Sequence, residues 1–214
     1  MTRVFILAAA VFLAAFGLVS SIAGTIAEEA DPGDALAGRC AYCHGADGIS
    51  PLPIWPSLAG LESGYLERQL DIFSGGPEGG RSTAPARQMH AISASLSAEQ
   101  RRRLASYYAS MEPPHWRPRP ESLGHTFYSG DGVNGNPSCA SCHGNDGAGD
   151  ASLNAPRLGG QSARYIASQL RAYKNGQRDD QGSGMAAMAS ALDDSQIEAL
   201  AEYLADRRSE NHDE

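Results

Sequence analysis

The chain opens on a short basic start, Met1-Thr2-Arg3, followed by an apolar run over residues 4–19 with small residues after it. That is the pattern of a secretory signal, with cleavage expected after Ala23 or Ala27, where small residues stand three and one before the cut. Weakly apolar character continues to Ile26, so the 23 residues 4–26 are also long enough for an uncleaved membrane anchor. Residues 1–27 therefore read as signal peptide or N-terminal anchor, and the remainder is expected outside the cytoplasm. Beyond them apolar positions recur at helical spacing. Tyr65, Leu66, Leu70 and Phe73 predict a helix near residues 63–73, and Tyr165, Ile166, Leu170 and Tyr173 predict one near 162–173. Two further helices begin at capping boxes, Ser97-Ala98-Glu99-Gln100 and Asp193-Asp194-Ser195-Gln196, where the N-cap oxygen and the N3 glutamine satisfy free amide donors. Preceding helices are expected over residues 34–42 and 123–128, the second followed by a glycine-rich insertion. Strand signal is negligible.

These elements come in pairs because the chain repeats itself. His44-Gly45-x-Asp47-Gly48 matches His143-Gly144-x-Asp146-Gly147 at an offset of 99. Pro56-x-Leu58-x-Gly60 then matches Pro156-x-Leu158-x-Gly160, and Tyr65 to Leu70 matches Tyr165 to Leu170, at 100. From Met89 and Met185 onward the offset is 96, a four-residue difference in the intervening loop. The predicted fold is all-α, with two tandem three-helix domains at 28–111 and 121–208. Between them the proline-rich stretch 112–120 cannot continue a helix, since each proline lacks an amide hydrogen and blocks the preceding turn. A polar tail occupies 209–214.

All four cysteines fall in two C-x-x-C-H strings, Cys40 and Cys43 before His44, and Cys139 and Cys142 before His143. Such a string is the attachment site of a c-type haem, with two thiols for the porphyrin vinyl groups and an imidazole for the iron. Positions i, i+3 and i+4 share a helix face, so all three groups can meet one side of a flat macrocycle. A zinc ribbon would place its knuckles fifteen to twenty residues apart, whereas 95 residues separate Cys43 from Cys139. A thioredoxin-like pair would need a βαβ context, which is not visible. Structural disulfides would leave both histidines to coincidence. The cofactors expected are two covalently bound haem c groups.

A second axial ligand has to come from elsewhere in each half. Methionine, a soft neutral donor that raises the potential, is the candidate. Met89 and Met185 lie 45 and 42 residues after their histidines, and each stands seven before the leucine preceding a capped helix. Met188 also fills a plausible core position, but its counterpart Ile92 cannot ligate. His90 competes in the first half, yet its counterpart is Ala186, so it reads as a surface or propionate-side residue. Backbone carbonyls at Pro56 and Pro156 are placed to accept the Nδ1 hydrogens of His44 and His143, fixing ring orientation and basicity.

The net charge of −8 argues against nucleic acid, which selects basic surfaces. Residues 28–120 carry 9 basic against 11 acidic side chains, and residues 121–214 carry 7 against 14. An acidic second half including Asp179, Asp180, Asp193 and Asp194 would suit a basic redox partner, and Arg101-Arg102-Arg103 an acidic one.

Over residues 34–208 the paired motifs, from His-Gly-x-Asp-Gly to the methionine seven before a leucine, resemble cytochrome c4, the dihaem class I cytochromes c. The resemblance implies two cytochrome c folds packed about a pseudo-two-fold axis, propionate edges face to face, and His/Met ligation by His44 with Met89 and His143 with Met185. It implies a periplasmic carrier of single electrons, often bound to the inner membrane, passing them to a terminal oxidase, with oxidases, reductases or dehydrogenases as partners. An electron-accepting subunit of a periplasmic dehydrogenase, such as a flavocytochrome-type sulfide dehydrogenase, is the alternative. A dihaem enzyme fits less well, because no cysteine is left over and both halves place a methionine.

Overall fold

The structure is a computed structural model that describes residues 36–76, 78, 80–180 and 182–205. The signal or anchor expected at 1–27 and the tail at 209–214 lie outside the described residues. The helices are α1 (Ala41–His44), α2 (Ser63–Ser74), α3 (Ala84–Ala94), α4 (Ala98–Ala109), α5 (Leu123–Ser129), α6 (Ala140–His143), α7 (Ala163–Lys174), α8 (Met185–Ser190) and α9 (Asp194–Leu204), with a 3-10 turn at Ala151–Leu153. Among the described residues there is no strand, only isolated bridges.

Both capping boxes form. Ser97 Oγ accepts the Gln100 amide at 3.2 Å while Gln100 Oε1 accepts the Ser97 amide at 2.8 Å, and Asp193 and Gln196 exchange the same two bonds at 2.9 Å each. The helices they start, α4 and α9, carry the centre of each core. Leu104 and Ala105 pack with Leu61, Leu66 and Tyr108 in the first half, and Leu200 and Ala201 with Tyr128, Ile166, Ile197 and Tyr203 in the second. At 3% and 2% exposure Leu104 and Leu200 each contribute roughly 1.5–3 kcal/mol through burial.

Two elements differ from expectation. The helix predicted over 34–42 breaks at a turn over residues 38–40 and re-forms as α1, so the haem motif occupies its own short turn. A fourth helix also precedes each capped one. In the first half Thr83 Oγ1 caps α3 through the Ala86 amide at 3.4 Å, with Pro85 in the first turn. In the second, α8 is only six residues long and starts from Gly184 at φ +73°. Neither presents a regular apolar stripe, since α3 buries Ala86, His90 and Ser93.

The two cores sit in one compact unit, and the connecting segment is part of what holds it. Pro113 packs on Gly60 and Pro114 on Gly160, where an added Cβ would lie 2.6 and 2.8 Å from the proline Cβ atoms. These repeat-related glycines also have φ of +68° and +89°, a region that side chains other than glycine resist. Trp116 follows, lying on Gly147 and Gly159, edge-on to Tyr203 at 5.3 Å, with its Nε1–H donated to the Tyr203 carbonyl at 2.9 Å. The segment linking the halves is a strap packed on both of them.

Candidate functional site

Each C-x-x-C-H string forms one helical turn. The His44 and Gly45 amides donate to Cys40 and Ala41 at 3.0 and 2.9 Å, and His143 and Gly144 donate to Cys139 and Ala140 at 2.9 and 3.0 Å. That turn puts both sulfurs and the imidazole on one face. All four thiols are free rather than bridged. Before attachment, burial pushes the Cys40 thiol up, and pushes Cys139 up to about 11.

The two histidines are buried, and each Nδ1 lies 2.8 Å from a proline carbonyl, Pro56 for His44 and Pro156 for His143. A carbonyl can only accept, so Nδ1 carries the hydrogen and Nε2 keeps its lone pair for a metal. Burial holds both imidazoles below their usual pKa, against the smaller upward pull of the carbonyl. Both rings are thus neutral, oriented donors.

Both faces open on one cavity of about 830 Å³, lined in the first half by Cys40, His44 and Met89 and in the second by Cys139, His143 and Met185. Met89 projects from α3 and Met185 begins α8; both are half-buried. Met188 and Ile92, one turn further on, reach the same lining. Four buried donors on lining residues lack an acceptor: Arg68 Nε, Gln69 Nε2, Arg81 Nε and Arg157 Nε. A buried donor left unpaired costs about 1–3 kcal/mol, so four of them around one cavity call for a bound group that brings acceptors. Haem supplies carboxylates at its propionate edge, and the residues present fit it.

His90 departs from its expected place. It is buried rather than on the surface, it does not line the cavity, and its Nε2–H is donated to the Arg81 carbonyl at 2.8 Å. A ring nitrogen spent on that bond locks α3 to the segment carrying Arg81.

That segment forms a polar cluster between the halves which the sequence did not reveal. Asp179 donates its amide to the Gly80 carbonyl at 2.7 Å and Ser82 donates to Gln177 at 2.9 Å, which places Arg81 opposite Arg178 in an antiparallel bridge. Arg178 reaches Gln169 at 2.8 Å and the Tyr65 hydroxyl of the other half at 3.1 Å. Arg81 bonds Gln69 and, at 3.3 Å, Gln169. Asp180 closes the cluster, with Oδ2 2.5 Å from Arg178 and Oδ1 3.5 Å from Arg81, and it accepts the Tyr173 hydroxyl. Burial would raise its carboxyl, but the two guanidinium groups prevail and hold it at about 2.

The acidic set expected to suit a basic partner is therefore partly spent inside the fold. Asp180 is buried, whereas Asp179, Asp193 and Asp194 are exposed, Asp193 holding its helix cap and Asp194 lying 3.6 Å from Arg171. Within the arginine run, Arg101 pairs with Asp71 at 2.6 Å, and Arg102 and Arg103 both pair with Glu99. Much of its charge is spent inside the molecule.

Comparison with known proteins agrees with the doubled geometry. The sequence profile of the family described as Cytochrome c matches residues 30–112 and again 124–207. The chain is similar to cytochrome c4 of Pseudomonas aeruginosa, 34% identical over 186 residues, covering 83% of this chain and 88% of that protein. It is also similar to the thiosulfate dehydrogenase electron acceptor of Thiomonas intermedia, 38% identical over 178 residues, covering 79% of this chain and 78% of the relative. Among solved structures, reduced recombinant cytochrome c4 from Pseudomonas stutzeri superposes with a TM-score of 0.74 at 33% identity, covering 81% of this chain and 96% of that one.

Proposed function

Because the chain belongs to the cytochrome c family, in its dihaem cytochrome c4 group, we propose that its two haem sites are the ones built on Cys40, Cys43 and His44 and on Cys139, Cys142 and His143. The protein carries two covalent haem c groups in tandem cytochrome c domains and functions in electron transfer. We assign the domains to 28–111 and 121–208. When bound, haem iron supplies a one-electron ferric/ferrous change. The chain supplies the rest. The sulfurs of Cys40, Cys43, Cys139 and Cys142 would tether the haems, and His44 with Met89 and His143 with Met185 would offer Nε2 and a thioether to each iron. Met185 is assigned over Met188 because Met89 is its repeat partner, whereas the partner of Met188 is Ile92. Two protein ligands per iron leave no position for a substrate, which suits a carrier rather than an enzyme, since little reorganises when one electron is added.

The single observation carrying this reading is the duplicated histidine–proline geometry, two buried imidazoles at 2.8 Å from carbonyls in one cavity whose lining includes a methionine from each half. Its test is intact mass and spectroscopy of protein matured with haem-attachment machinery. Two haems per chain and ferrous protein inert to carbon monoxide are expected. One haem, stoichiometric zinc or ready carbon monoxide binding would overturn it.

The partners we propose for this periplasmic carrier are respiratory redox proteins, such as a terminal oxidase. A second reading, an electron-accepting subunit of a periplasmic dehydrogenase, is favoured by the similarity to the thiosulfate dehydrogenase electron acceptor. Co-purification from the native source separates the two. No helix among the described residues is long and apolar enough to cross a membrane, so the proposed inner-membrane association rests on residues 1–27.

A further inference from the structure

Around each histidine the hydrogen bonds are the same as far as the proline carbonyl, and the partner of the next amide then differs. Pro56 O accepts His44 Nδ1–H, and the N–H of that same peptide group, on Ser57, donates to Gln161 Oε1 at 3.0 Å. Gln161 Nε2 returns a bond to Ser57 O at 2.6 Å. Both residues are buried, and they come from opposite halves, 104 positions apart. In the second half Pro156 O accepts His143 Nδ1–H, and the N–H of that peptide, on Arg157, donates to Glu62 Oε2 at 3.2 Å, again from the opposite half.

Glu62 is committed to this contact. It stands at the N-cap of α2 yet makes no side-chain cap bond. Its other oxygen lies against Gly149, at φ +88°, where a Cβ would collide with it. The two clamps are not copies of one another, because the counterpart of Gln161 is Leu61 and that of Glu62 is Ser162.

Resting on the haem ligation proposed for His44 and His143, we infer that Gln161 and Glu62 are positioning residues that tune the opposite half's axial histidine through a single peptide group, a neutral amide for the first haem and a carboxylate for the second. A peptide whose N–H is engaged is polarised, and its oxygen becomes a better acceptor by some 10–30% per bond. A carboxylate acceptor gives a bond roughly twice as strong as a neutral one. The stronger acceptor draws the Nδ1 hydrogen, makes the imidazole a better electron donor and stabilises ferric iron. The carboxylate's own negative charge acts in the same direction. Glu62 therefore lowers the potential of the second haem relative to the first, and the offset exists only while the two halves are docked.

The test uses the full haem-loaded chain as wild type, Glu62→Gln and Gln161→Glu. Each potential is resolved by spectroelectrochemical titration and assigned through that haem's own NMR signals, and the Nδ1–H resonances of His44 and His143 are followed in the reduced protein. Glu62→Gln should raise the second potential alone, changing the constant for electron exchange between the haems about threefold, or about 28 mV at 59 mV per tenfold for one electron. The His143 Nδ1–H resonance should move and that of His44 stay. Gln161→Glu keeps an acceptor for the Ser57 N–H, gives up the bond donated to Ser57 O, and should lower the first potential alone. Both potentials moving together, or neither moving while two haems remain bound, overturns the inference. A wild type holding fewer than two six-coordinate haems instead overturns the ligation beneath it.

Discussion

Arg81 and Arg178 face one another across an antiparallel backbone bridge, one from each half. Each stacks on the aromatic that ends its own domain's long helix, Arg81 over Phe73 at 4.9 Å and Arg178 over Tyr173 at 4.4 Å. Phe73 and Tyr173 are repeat partners at the offset of 100, so the bridge marks the local two-fold relationship. Asp180 breaks it. Its carboxylate, from the second half, pairs with both buried guanidinium groups.

Asp180→Asn should therefore destabilise the folded protein by about 2–3 kcal/mol at pH 7, from a carboxyl lowered to about 2 at 1.36 kcal/mol per unit and the loss of a buried pair. A depressed folded pKa stabilises fully above the unfolded value near 4, and the contribution disappears as pH falls through about 2. Denaturant unfolding of both proteins between pH 7 and pH 2 should show the gap closing over that window. A gap independent of pH would mean that packing, not charge, sets the cost.

Met89→His and Met185→His should each remove one site's share of the weak near-infrared charge-transfer absorption of oxidised iron–thioether bonds. Met188→Leu should leave both shares in place. Loss of the second site's band in Met188→Leu would move the ligand one turn along α8.

Changing Cys139→Ala and Cys142→Ala together should lower the intact mass by one haem and leave the first haem's absorption intact, because Leu61, Leu66, Leu104 and Tyr108 form a core separate from that of the second half. Loss of both haems would show that one half cannot hold its cofactor when the other is empty.

Gly160→Ala should cost about 2–4 kcal/mol, combining left-handed strain of about 1–2 kcal/mol with overpacking against Pro114. Gly176→Ala is the control. It shares a positive φ of +67° but has nothing within 4 Å, so only the strain remains. Thermal unfolding should separate the pair by several degrees, and equal shifts would remove the strap from the account of domain docking.

Local order was legible in the chain itself. The haem turns, both capping boxes and the two proline carbonyls depend on residues at most 13 positions apart, and short-range geometry follows directly from spacing. Repetition added what spacing could not, setting Met89 beside Met185 and demoting Met188. The helices α3 and α8 were missed because they carry no regular apolar stripe, although the Thr83 cap and Pro85 offered a start signal for the first. The contacts between the halves were not legible. Gln161 reaches Ser57 and Glu62 reaches Arg157 across 104 and 95 residues, and no periodicity encodes which side chains meet when two similar surfaces dock. Asp180 read as part of an acidic surface suited to a basic partner. It is buried because Arg81 arrives from the other half, and a carboxylate stays ionised out of water only where such a partner offsets its lost hydration. The sequence by itself determined two haem-binding halves and the order of their C-x-x-C-H turns and methionines; the tertiary structure decided which side chains of one half meet the other, since that depends on distances between residues that are remote in the chain.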